Sequence, residues 1–163
     1  MAAGITYQPI QTQTLASAAS SVTFNSIPQG YTDLILVAAT PTTGSGADYY
    51  LRFNSDSGSN YSDTRLVGTG SGSGNSYRST NQTQLIVGTI YPQQGNIINH
   101  IMNYSNTTTY KTVLSRGNYA GYLTQANVSL WRSTAAITSV YVFAQSGNFD
   151  VGSTFSLYGI ASA

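Results

Sequence analysis

The groups in this chain that could do acid–base or nucleophilic chemistry are few and scattered. Its 163 residues hold five aspartates, no glutamate, one histidine and no cysteine. That stock excludes disulfides, thiolate zinc sites and cysteine nucleophiles. His100, within Ile97-Ile-Asn-His-Ile-Met102, has no second histidine or cysteine with which to hold a metal. A strand histidine that packs or hydrogen-bonds is the expectation. Asp56-Ser-Gly-Ser-Asn60, with Asp63, is rich in oxygen ligands of the kind calcium takes. It lacks the closing glutamate of an EF-hand loop, so it reads as a turn held by Asx hydrogen bonds. Nothing pairs any two of Asp33, Asp48, Asp56, Asp63 and Asp150 as a glycosidase requires. Ion pairs with Arg52, Arg65, Arg78, Arg116 and Arg132 are their ordinary role. Gly68-Thr-Gly-Ser-Gly-Ser-Gly74 has no lysine and no helix after it, unlike a phosphate loop. No catalytic residue, metal ligand or cofactor is expected, and the chain reads as a non-enzyme.

Aromatic residues offer the other chemistry. There are 13 tyrosines against 5 phenylalanines and 1 tryptophan. A tyrosine presents a large rigid face with a polar tip, which suits interfaces and sugar platforms. Tyr49, Tyr50, Tyr61, Tyr77, Tyr119 and Tyr122 lie beside loops and are the candidate contacts to a glycan or a protein partner. Their commoner use is as strand residues.

Charged residues make up 7% of the chain and the net charge is +1, with a pI near 7.9. Serine, threonine, asparagine and glutamine take the place of the usual lysine and glutamate. No basic patch for nucleic acid follows from this balance. Copies of such a chain repel each other weakly, which favours assembly. With 40% hydrophobic residues the chain can still build a core, and its length fits one domain over 1–163. The longest apolar run, Leu34 to Ala39, is far short of the roughly 18 residues of a membrane span. Met1-Ala-Ala-Gly-Ile has neither the basic nor the apolar region of a signal peptide, so synthesis in the cytoplasm is expected.

These residues must be positioned by strands. Helix formers are sparse, and β-branched and aromatic residues fill the apolar stretches. Nine or ten short strands are expected, separated by Gly, Ser, Asn and Asp turns. Residues 1–15 read as an extended segment that packs on its own sandwich or pairs with a neighbouring subunit, with Pro9 marking an edge or a bulge. Leu34-Ile35-Leu36-Val37 reads as a strand buried on both faces. From residue 55 to 75 the chain changes character: Ser55 to Asn60 is dense in turn residues, and Gly68 to Gly74 reads as a mobile surface loop. Many strands without helices make an antiparallel β-sandwich, and a count of eight or more favours a jelly-roll-like one.

Several phrases are distinctive as a set. Tyr31-Thr-Asp-Leu-Ile-Leu-Val37, Leu51-Arg-Phe-Asn-Ser-Asp-Ser-Gly-Ser-Asn-Tyr-Ser62, Tyr104-Ser-Asn-Thr-Thr-Thr-Tyr-Lys-Thr112, Leu130-Trp-Arg-Ser-Thr-Ala-Ala-Ile-Thr138 and Gly152-Ser-Thr-Phe-Ser-Leu-Tyr-Gly-Ile160 resemble small structural proteins of tailed bacteriophages. The resemblance runs from about Tyr7 to Ile160. It implies a β-sandwich that assembles as a homotrimer on the virion, and it carries over no catalytic residue. Such modules serve as head decoration (cement) proteins or as parts of tails and fibres. The chain shows no coiled-coil or fibre-like stalk, which favours a decoration protein bound to the major capsid protein on the capsid surface. A tail- or fibre-associated module that binds host glycan is the alternative.

Overall fold

A computed structural model describes residues 6–42, 46–72, 74–92 and 95–161. The strands run β1 (Tyr7–Thr14), β2 (Ser21–Phe24), β3 (Asp33–Ala39), β4 (Ala47–Phe53), β5 (Tyr61–Gly68) and β6 (Gly74–Gln82). They continue with β7 (Leu85–Ile90), β8 (Asn96–Met102), β9 (Lys111–Tyr119), β10 (Leu123–Trp131), β11 (Val140–Ala144) and β12 (Thr154–Ile160). No helix occurs among the described residues. All neighbouring strands are antiparallel. The larger sheet has the order β1-β12-β3-β8-β9-β10-β5-β6 and the smaller one β2-β11-β4-β7. They form the all-β sandwich that the composition predicts.

Period-two alternation sends Leu34, Leu36 and Ala38 of β3 and Phe155 and Leu157 of β12 inward. There they join Leu51 and Phe53 of β4 and Val140 and Val142 of β11 in one core. Each such side chain contributes about 1.5–3 kcal/mol by leaving water. Trp131 lies in that core between Phe53, at 5.5 Å between ring centres, and Tyr61, at 6.3 Å.

Residues 61–68 and 74–82 form a strand pair, where the sequence showed no strand, and the Gly68–Gly74 segment connects the two. The reason is visible in the burial pattern. β6 is an edge strand exposed along most of its length, so it needs no apolar period. β5 buries Tyr61 and Asp63 rather than aliphatic residues. Its partner on the other side is β10, in register from Tyr61↔Trp131 to Gly68↔Thr124.

β1 is the opposite edge. It pairs with β12 of its own sandwich, and the ladder shifts register between Pro9 and Gln11. Pro9 thus lies at an edge and a bulge, where a residue without an N–H is tolerated. Residues 1–5 of the extended segment fall outside the described residues. Tyr31 braces this edge. Its ring lies on Gly159, where a Cβ would come within 2.3 Å of it, and its hydroxyl donates to Gln8 Oε1 at 3.1 Å. An aromatic ring covering a strand glycine restores the contact that the missing side chain gives up.

Candidate attachment face

The face of the larger sheet turned away from the smaller one is more apolar than a solvent face needs to be. In β10 the ordinary pattern is inverted over its middle. Gln125, Asn127 and Ser129 point inward and are buried, while Ala126, Val128 and Leu130 point outward. Neighbouring strands follow suit: Asn99 of β8 and Ser115 of β9 are buried, while Ile98 and Leu114 face out.

The inward polar groups are partly paired. Asn127 Nδ2 donates to Ile86 O at 2.9 Å, and Arg65 lies 3.3 Å from Asp63 and 3.9 Å from Asp48. Burial pushes both carboxyls above their usual range, against the pull of Arg65.

The outward residues line up across strands. One row runs Tyr158, Ile35, His100, Leu114, Val128 from β12 to β10. The next runs Val37, Ile98, Arg116, Ala126, Leu66 from β3 to β5. Leu114 is 41% exposed, Val128 55% and Leu66 61%. Tyr7, Ile35, Val37, Ile98, Leu114 and Ile160 line a groove of about 450 Å³, with His100 and Arg116 in its wall. Leu34-Ile35-Leu36-Val37 is therefore buried on one face only. Ile35 and Val37 belong to this groove, because among the described residues no further layer covers the outer face of the larger sheet.

Charge on this face is mostly positive and unpaired. His100 Nε2 and Asp33 Oδ2 are hydrogen-bonded at 2.8 Å, and Asp33 Oδ1 accepts from Asn103 N at 2.7 Å. Arg78 and Arg116 form no ion pair among the described residues. The other four aspartates are engaged elsewhere. Asp48 and Asp63 flank Arg65, Asp150 accepts from Val151 N, and Asp56 accepts from Trp131 Nε1, Asn60 Nδ2 and Gly58 N. The oxygen-rich loop at Asp56 is thus an Asx turn that also caps the core indole.

The six candidate tyrosines do not converge. Tyr49 and Tyr61 are fully buried core residues and present no ring surface to a glycan or partner, which corrects the expectation for both. Tyr49 packs on Phe149 at 5.8 Å, and the Tyr61 hydroxyl donates to Asp56 O at 3.0 Å. Tyr50 is buried too, edge-on to Phe143 at 5.2 Å. Proximity to a turn in the sequence does not set which way a strand residue points. Tyr77 is exposed on β6, with the Arg65 guanidinium 5.3 Å from its ring centre. Tyr119 and Tyr122 do come together, at the β9–β10 turn. Tyr91, which the sequence did not single out, joins them, stacked on Tyr119 at 5.0 Å and edge-on to Tyr122 at 5.6 Å.

The outward apolar stripe was also missed as a site. Its signal in the sequence was the reversed alternation from Gln125 to Leu130, which reads as a strand but does not say which side is covered. No protein-family model matches the chain, and no curated protein matches it significantly.

Proposed function

We propose that the chain is a structural protein of a tailed-bacteriophage virion, a head decoration protein that binds the assembled capsid from outside and stabilises it. One observation carries the mode of attachment: the larger sheet buries Asn99, Ser115, Gln125, Asn127 and Ser129 while it turns Val37, Ile98, Leu114, Val128 and Leu66 outward. A sheet built this way is matched to a second surface on its outer side. The major capsid protein is the partner in this reading. Arg78 and Arg116 would meet its carboxylates, since the chain's own aspartates are engaged. The resemblance of the quoted phrases to phage structural proteins supports the virion context, and a homotrimer on the particle is part of the proposal. Apolar area and neutral hydrogen bonds would keep attachment less sensitive to salt than ion pairs alone. Binding only the assembled shell would stabilise that state by mass action.

Electron cryo-microscopy of the particle that carries the protein tests this. Symmetric trimeric density over the head, with the β3-β8-β9 face against the capsid, is the expected result. A bare head with the protein confined to the tail overturns it.

A further inference from the structure

A second site lies on the same sheet, at the end where β9 turns into β10. Two hollows of about 470 and 420 Å³ meet there. Both are lined by Gly68 and Thr124, which are direct partners in the β5–β10 ladder. Together they make one trough. None of its lining residues lines the attachment groove.

The chemistry of the trough is uniform. At one end Tyr122, 52% exposed, offers a ring face beside Asn118 and Thr69. At the other end Leu66 lies beside Asn75 and Ser76. No described residue lining either hollow carries a charge. Amide and hydroxyl groups therefore supply all the side-chain polarity, next to an aromatic face and a small apolar floor. A nucleic acid or a phosphorylated or acidic ligand would find no cation here. An extended peptide would add to the free edge of β6 at the rim of the trough rather than enter it, because β5 and β10 at the trough floor are both already paired. A ligand with many neutral hydroxyls and apolar C–H faces matches each part.

The aromatic end is also rigid. Tyr91 is held against Gly46, where a Cβ would come within 2.5 Å of its ring. Its ring stacks on Tyr119 and meets Tyr122 edge-on. The turn between those two is closed by Tyr122 N donating to Tyr119 O at 2.8 Å. A platform ordered before the ligand arrives loses little entropy on binding.

We infer that this trough is a binding site for a neutral oligosaccharide, with Tyr122 as the stacking platform and Thr124, Asn118 and Asn75 as hydroxyl partners. The trough adjoins the attachment face, sharing Leu66 and Ala126 with its outward rows, so the site is open where that end of the sheet stays uncovered. This does not depend on the head being the place of attachment.

The test is an array of bacterial surface oligosaccharides, neutral, sulfated and sialylated, probed with the intact protein. The strongest neutral hit is then titrated by nuclear magnetic resonance. The expected result is binding of neutral glycans, with resonances of Thr69, Asn118 and Thr124 shifting. Tyr122→Ala should weaken affinity by about tenfold or more, while Tyr122→Phe, which keeps the ring face, should stay within about threefold. Thr124→Val should weaken binding without changing the melting temperature. An array with no neutral hit, preference for the charged glycans, or a hit unaffected by both Tyr122→Ala and Thr124→Val overturns the inference.

Discussion

The Trp131 indole donates its Nε1 hydrogen to Asp56 Oδ2 at 2.7 Å, joining the middle of the core to an exposed turn 75 residues away in sequence. Burial alone would raise the Asp56 pKa, but hydrogen bonds from Trp131, Asn60 and Gly58 outweigh it and hold the carboxyl below its ordinary range. A depressed folded pKa means stability that is present above the unfolded value and lost as pH falls through the folded one. Asp56→Ala should therefore cost about 1–3 kcal/mol near neutrality. The gap from the parent should narrow as pH falls below the ordinary aspartate value of about 3.9 and through the lower folded one. Urea denaturation at a series of pH values measures both.

Asp63 behaves in the opposite sense. Burial raises its pKa, Arg65 only partly offsets this, and the Asp48 charge adds to the rise. The folded state then holds its proton more tightly than the unfolded chain does. Charging Asp63 as pH climbs from the unfolded value through the folded one costs stability. Asp63→Asn should melt higher than the parent at neutral pH, with Arg65 still facing Asp48 and Tyr77. The difference should shrink as the solution is acidified. A parent that melts higher than the variant at every pH contradicts this.

Leu114→Asp separates attachment from folding. The side chain is 41% exposed, so the change should move stability by about 0.5 kcal/mol or less. Under the proposed function it should abolish binding to heads that lack the protein, measured by co-sedimentation. Undiminished co-sedimentation would place the attachment face elsewhere.

Gly159→Ala tests the brace on β1. The new methyl would come within 2.3 Å of the Tyr31 ring, at atoms next to the backbone rather than at a flexible tip. A cost of about 1–3 kcal/mol is expected, as for other overpacked sites. Faster hydrogen exchange in residues 7–14 should accompany it, because Tyr31 also holds Gln8.

Much of the strand pattern was legible in the sequence because most strands keep an apolar period. β12 shows it in Phe155 and Leu157, and β8 in Ile97 and Ile101. β5 and β6 were not legible, since Asp63 and Arg65 stand where aliphatic residues would signal a strand and β6 is polar apart from Gly74 and Tyr77. The site was harder to see than the fold. Val37 and Leu114 have the same chemistry as core residues, and only the three-dimensional layers distinguish a face that is covered from one that is not. Tyr49 and Tyr122 are equally indistinguishable by type, yet one is fully buried and the other half exposed.

The inverted alternation of β10 divides the hydrophobic effect between two events. Val128, 55% exposed, contributes little to the isolated chain, because water still reaches it; Gln125 and Asn127 occupy inner positions that an aliphatic residue would fill with a gain in stability. A chain arranged in this way completes its apolar burial only when its outer face is covered. Under the proposed function its melting temperature becomes a property of the assembly, rising with the concentration of the partner that covers that face.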